Sequence, residues 1–277
     1  MISSLSLNRS SSFGRTAGPA LLLLLFLVLP FTRSPAVAQS SHSPSPSTTT
    51  LETALTTVDS LRTHHRFRAA LQQLDSLAQA YPNRVAVHWR RALLSSDVGK
   101  KADEDDTALR HHRQALEAAE TALATDSTSA WAHLVAGLAQ GRISLYADRS
   151  ERIERSRSVK RHANHALELD STLAPAYHLL GRWHRKVADL NFIERTLVKT
   201  FYGGLPDASY EQSVVHFQRA ISLESKPYNH LELGKTYLRM DRDEAAKEQF
   251  QKALEMTGSP HDAEYKREAR SLLTDLR

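Results

Sequence analysis

The stretch YNHLELGKTYLRMDRDEAAKEQFQKALEMTGSP, residues 228–260, decides the fold. Leu233-Gly234 is followed three residues later by Tyr237, and a polar turn runs through Met240-Asp241-Arg242-Asp243. Ala246, Phe250 and Ala253 come next, before a stop at Gly258-Ser259-Pro260. Apolar residues recur at helical spacing on both sides of the turn, so the segment is expected to form two antiparallel helices. Gly234 and the alanines are small where the helices cross closely, while Leu233, Tyr237 and Phe250 fill the seam.

An L-G pair, an aromatic, then Ala, an aromatic and a closing Pro within about 34 residues is the pattern of the tetratricopeptide repeat. Weaker copies run upstream. Segment 174–225 opens with Ala174-Pro175-Ala176-Tyr177 and Leu180-Gly181 and ends with Phe217 and Ala220, its second helix delayed by an insertion at 187–206. Segment 128–171 carries Trp131 and Leu134 and closes on Ala166-Leu167-Glu168-Leu169-Asp170-Ser171; segment 87–127 carries Trp89 and closes on Ala122-Leu123-Ala124-Thr125-Asp126-Ser127. Segment 52–82 has a poor first helix, but Ala70, Leu74 and Leu77 mark its second, which stops at Tyr81-Pro82-Asn83 because proline disfavours helix before it. The expected fold is all-α: about five helical hairpins in a superhelix over 51–277, with an inserted helix and a closing helix at roughly 260–276. Lys266, Arg267, Glu268 and Arg270 give that last helix the polarity of a solubilising end cap.

The N-terminal residues have the order of a secretory signal. Arg9 and Arg15 precede the apolar run Ala20–Phe31, and Ala36-Val37-Ala38 is a small-x-small cleavage site before Gln39. The run is short for a membrane span, which needs about 20 apolar residues, although an uncleaved anchor is the alternative. Residues 1–38 are therefore expected to be a signal peptide, residues 39–50 a disordered polar tether, and the protein exported, periplasmic or secreted, with no integral span after cleavage. The chain has no cysteine, which excludes disulfides. Its formal charge of +5 includes Arg9, Arg15 and Arg33 of the targeting segment, so the remainder is close to neutral and gives no case for nucleic-acid binding.

Ala176-Tyr177-His178-Leu179-Leu180-Gly181-Arg182-Trp183, then Asn191-Phe192-Ile193-Glu194-Arg195, then Phe201-Tyr202-Gly203-Gly204-Leu205-Pro206, resembles the regulator of microtubule dynamics family. Ser213, Phe217, Ala220 and Leu233-Gly234-Lys235-Thr236-Tyr237 continue the match, which covers roughly 84–257 and includes the insertion. The resemblance implies a tetratricopeptide-like domain that binds partners and has no known catalytic chemistry. Members of that family are associated with microtubules and with membrane contact sites.

The residues themselves offer no Gly-rich phosphate loop, no G-x-S-x-G and no H-E-x-x-H, and neither enzyme activity nor a cofactor is expected. His162 and His165 share a helical face, but two histidines without a third ligand are a weak zinc signal, and no metal site is expected. Asp103-Glu104-Asp105-Asp106 is a solvated turn whose last acids suit the next helix N-terminus. Arg142–Arg161 looks like one basic helix, with Arg149, Arg152 and Arg155 along a stripe that either pairs with local glutamates or binds an anion. In the insertion, Leu190, Ile193, Leu197 and Phe201 form an apolar stripe that either packs on the superhelix or walls a hydrophobic groove.

Tyr177, Arg182 and Arg185 in one unit, and Asn229, Lys235 and Arg239 in the next, are the expected contact residues of a concave binding face, extended by Arg149, Arg152 and Arg155. Cations there favour a protein or peptide partner carrying an anionic group. The alternative is a lipid or other hydrophobic small molecule held in an apolar groove closed by 187–206.

Overall fold

The computed structural model describes residues 48–276, and twelve α-helices account for the regular structure among them. They form five hairpins: α1 (Thr48–Thr63) with α2 (Phe67–Ala80), α3 (Val85–Lys100) with α4 (Asp105–Thr125), α5 (Ala130–Ile143) with α6 (Arg149–Leu169), α7 (Ala174–Ala188) with α9 (Tyr210–Leu223), and α10 (Pro227–Leu238) with α11 (Asp243–Glu255). The inserted helix α8 (Phe192–Tyr202) lies between α7 and α9, and α12 (Asp262–Asp275) closes the chain. Each second helix packs against both its own first helix and the first helix of the following unit, and α3, α5, α7 and α10 touch in succession. That arrangement is the helical-repeat superhelix the sequence predicts. The expected signal peptide and most of the expected tether, residues 1–47, lie outside the described residues, but 48–50 belong to α1 rather than to a tether.

Local signals place the boundaries. Ser129 Oγ accepts from the Ala132 amide, Asp148 Oδ1 from Glu151 and Ser209 Oγ from Gln212, each capping a helix start. Two successive units end on the same device: Asp126 Oδ1 accepts from the Thr128 amide at 2.9 Å and Asp170 Oδ1 from the Thr172 amide at 2.8 Å. The first unit, poor by pattern, is nevertheless tied in by Leu51, Leu55 and Val58, which are buried against Phe67, Leu74 and Leu94.

The core is a chain of small clusters along the stack, as expected when each repeat contacts only its neighbours. In the fourth and fifth hairpins the seams are filled by Phe217 and Phe250, both wholly buried, opposite Gly181 and Gly234. Ser213 Oγ joins the two seams by donating to the Gly181 carbonyl at 2.8 Å and lying 3.1 Å from Thr236 Oγ1.

Two expectations are corrected, and one is extended. The basic segment 142–161 is not one helix: Arg142 ends in α5, the chain turns over 144–148, and α6 starts at Arg149 behind the Asp148 cap. The insertion does form a helix, but its apolar stripe is core at one end only: Leu190 packs against the cluster around Trp183. Asn191 and Glu194 form a reciprocal capping box, so the helix starts after Leu190, and Ile193 and Phe201 remain 68% and 70% exposed while Val198 turns inward. Arginines, rather than stripe burial, hold α8 in place. Arg195 donates to the carbonyls of Leu190, Val187 and Ala188 at 2.9–3.2 Å, and Arg157 from α6 donates to those of Tyr202 and Gly204. Finally, α12 does more than cap. Ala269 is wholly buried and Leu272, Leu273 and Leu276 pack on the last hairpin, while its N-terminal half reaches back to α3.

A candidate binding face on the first helices

The first helices of successive units place their polar side chains on one inner face, where residues far apart in sequence meet. Asp97 of α3 accepts from Arg62 of α1 at 2.6 Å, and its other oxygen lies 3.1 Å from Nε2 of the buried His261. Burial raises the Asp97 carboxyl, but the His261 bond and the Arg62 charge outweigh it and hold it below the usual value. Lys100 Nζ pairs with Glu264 of α12 at 2.9 Å, donates to Tyr265 Oη at 3.3 Å and sits over the Tyr265 ring. Lys101 takes the other Glu264 oxygen at 3.2 Å. The Tyr265 hydroxyl, pushed up to about 12 by burial, is a neutral phenol able to donate.

Further along, the centre of the face is Glu232 on α10. Arg185 Nη1 donates to the Glu232 carbonyl at 2.9 Å and Arg185 Nη2 to its carboxylate; Lys235 Nζ reaches the other carboxylate oxygen at 3.2 Å, and Arg182 Nε stands 3.8 Å away. Burial by itself would raise this carboxyl. The charges of Arg182, Arg185 and Lys235 win, and it lies well below the ordinary carboxylate range. Lys235 is also paired with Glu268 of α12. His178 donates from Nδ1 to Asn229 Oδ1 at 2.8 Å, and Asn229 Nδ2 donates to the Glu224 carbonyl at 3.0 Å.

The contact residues expected from sequence therefore divide. Arg182, Arg185 and Lys235 do converge, but around Glu232, with Arg185 buried. Asn229 is wholly buried and serves as a partner for His178. Arg239 pairs with Asp189 at 3.3 Å, and the Tyr177 hydroxyl donates to the Ser171 carbonyl at 3.2 Å. On α6, a second helix, Arg152 donates to the carbonyls of Ser144 and Ala147, and Arg155 to Glu151 and Gln140, while Arg149 is exposed. Sequence reasoning missed Glu232 as the hub, although its spacing of three from both Asn229 and Lys235 puts all three on one stripe. It also missed His133, which joins His162 with 3.1 Å between Nδ1 atoms. Among the described residues no three His, Cys, Asp or Glu side chains are arranged to hold a metal ion.

A cleft of about 770 Å³ lies elsewhere, lined by His65, Arg66, Phe67, Lys101, Glu104 and His111 between the first two units.

Burial also governs the histidines. His112 and His162 are pushed down to about 4 and His178 to about 3, burial being the leading cause in each. The unfolded chain binds protons near pH 6.5 where the native protein does not, so stability rises with pH across the window from about 4 to 6.5. At pH 5 a fully buried histidine such as His112 costs up to about 2 kcal/mol by this linkage. Thermal melting followed at pH 7, 6, 5 and 4.5 should show a progressive fall beginning near pH 6.5. A midpoint that stays flat to pH 5 would contradict the neutral, buried histidines.

A family model described as Regulator of microtubule dynamics protein 1-3 matches residues 54–277. Regulator of microtubule dynamics protein 1 of Bos taurus is 30% identical over 191 residues, covering 67% of this chain and 60% of the bovine protein. Regulator of microtubule dynamics protein 3 of Mus musculus is 26% identical over 191 residues, covering 68% of this chain and 41% of the mouse protein. The match thus spans 60% or less of the length of these two relatives. Among solved structures, TTC0263, a thermophilic TPR protein of Thermus thermophilus, superposes with a TM-score of 0.62 at 19% identity, covering 80% of this chain and 98% of that one. That likeness is one of fold. Among the described residues no helix is long and apolar enough to cross a membrane. With the family model matching residues 54–277, well over half of the chain, the chain belongs to the regulator of microtubule dynamics family.

Proposed function

We propose that this chain is a non-catalytic binding scaffold, exported from the cell, that holds a protein or peptide partner on the concave face of its helical-repeat superhelix. One observation supports the reading: α3, α5, α7 and α10 touch in succession and carry polar, cation-rich side chains that pair with one another and with α12, which lies across them from α10 to α3. Extended polar faces of stacked repeats suit polypeptides, which offer charges and backbone groups along their length. The lipid-carrier alternative calls for an enclosed apolar groove behind 187–206, and the outward-facing Ile193 and Phe201 of α8 do not supply one. Export rests on the sequence order of residues 1–38 alone.

Protein purified from the exporting host by an affinity tag, with polypeptides and lipids both identified by mass spectrometry, tests the scaffold. The expected result is a polypeptide whose retention weakens with salt and falls at least tenfold in Arg182→Gln, since a charge-assisted bond is screened and its loss is felt directly. Recovery of a stoichiometric lipid and no polypeptide would overturn the reading. Arg182 is the better probe than Lys235, because removing the lysine disturbs the buried Glu232. N-terminal sequencing of the same sample should begin at or near Gln39; full-length chain held in the membrane fraction would refute cleavage and favour an anchor.

A further inference from the structure

Arg142 and Arg182 stand out among the cations of this face, because neither side chain donates a hydrogen bond among the described residues. Arg142, near the end of α5, is half-buried, and its Nε is fully enclosed without a partner. Arg182, on the adjacent helix α7, approaches Glu232 only to 3.8 Å. A buried donor left unmet costs free energy, and two guanidinium groups on neighbouring helices repel each other, so the arrangement is unfavourable as it stands. Burial first, and then the Arg182 charge, make Arg142 harder to keep protonated.

The acids nearby are already engaged. Glu232 is held by Arg185 and Lys235, Glu264 by Lys100 and Lys101, and Glu268 by Lys235. Around Arg142 and Arg182, then, with Asp97 held by Arg62 included, seven cations share four carboxylates. Beside Arg142 stands the neutral Tyr265 hydroxyl, placed by its contact with Lys100 and able to donate one more bond. Positive charge in excess, an enclosed unmet donor on Arg142, a part-exposed Arg182 fork only loosely paired with Glu232 and a phenol constitute a receptor for an oxyanion, since a guanidinium meets a carboxylate or a phosphate through two parallel N–H bonds.

We infer that Arg142 of α5 and Arg182 of α7, with the Tyr265 hydroxyl of α12 beside them, form an oxyanion-binding site on the inner face that takes a carboxylate or a phosphate group of the ligand. The inference rests on the scaffold reading for its biological setting, but the site itself is testable with simple ions. Carboxylate is the chemistry the rest of the face already handles, at Glu232, Glu264 and Glu268.

The experiment follows the arginine Nε–H resonances of ¹⁵N-labelled protein during titration with sodium acetate and with sodium phosphate, at constant ionic strength made up with chloride. The Arg142 signal is assigned by its disappearance in Arg142→Gln. It should shift saturably, and the apparent affinity should fall at least tenfold in Arg182→Gln, with Arg110→Gln on the exposed surface of α4 as an unaffected control. Arg182→Lys, which keeps the charge and loses the fork, should fall in between, and it keeps the test open if the glutamine variant folds poorly. A response to acetate as tight as that to phosphate assigns the site to polypeptide carboxylates, and titration with one acidic peptide, free or amidated at its C-terminus, then separates chain end from side chain. A much tighter response to phosphate assigns it to phosphate groups. An Arg142 signal insensitive to both ions, or equal affinities in the wild type and Arg182→Gln, overturns the site; partner capture by the same protein would leave the scaffold standing without it.

Discussion

Gly234→Leu should abolish cooperative folding, and even Gly234→Ala should lower stability clearly. A Cβ built on Gly234 lies 2.7 Å from Cδ1 of Phe250 and closer still to Cε1, and the ring is wholly buried with no room to retreat. Alanine ordinarily gains about 0.5–1 kcal/mol over glycine inside a helix. Overpacking a full seam costs about 1–3 kcal/mol, so the clash decides the sign. Gly181 faces Phe217 in the same way, with ring carbons at 2.8–2.9 Å, and Gly181→Ala should be destabilising by somewhat less. Gly141→Ala is the control: its Cβ would meet only Val159 at 3.6 Å, ordinary contact, so the helix preference should prevail and stability should hold or rise. Urea melts of the three alanine variants check the order. A Gly234→Ala midpoint at or above that of Gly141→Ala would show that the helices of the last hairpin do not cross at this point.

Glu232→Ala should cost about 3–5 kcal/mol, the range for removing one member of a buried ion pair, because it strands Arg185 without a counter-charge. Glu232→Met with Arg185→Met should be far milder than the sum of the single changes, since two apolar side chains remove both desolvation costs together. The pH dependence has a definite sign. The folded carboxyl is depressed well below 4.5, so its stabilisation is fully present above the unfolded value near 4.5 and is lost as pH falls through the folded value. This acid limb begins near pH 4.5, at the bottom of the histidine window, and should disappear in the double methionine variant while the histidine limb persists. Additive single-variant losses in a double-mutant cycle would show that the two side chains do not interact.

The sequence by itself determined the hairpins and their order. Leu233-Gly234, Phe250, Ala70, the Asp-Ser-Thr turns and Pro82 act within one helix or across one turn, and such signals are complete in a short window. The family followed from the same residues, because the insertion after Trp183 and the repeat after Leu233 are local patterns too. What the sequence left open, or misplaced, was decided at longer range. The break at 144–148 is stabilised by Arg152 from the following helix, which donates to the carbonyls of Ser144 and Ala147 that α5 leaves free. The direction of the α8 stripe was decided by Arg157 of α6, 45 residues from the carbonyl it holds at Tyr202. The groove residues Arg182, Arg185 and Lys235 were legible as cations, but their counter-ion Glu232 lies 47 residues from Arg185, and α12 meets α3 through Lys100 and Tyr265, 165 residues apart. Periodicity states which face of a helix is apolar, and it does so residue by residue. Which charges neutralise one another, and which arginine donor is enclosed without a partner, depends on the rise and rotation accumulated from hairpin to hairpin, and only the stacked structure fixes that.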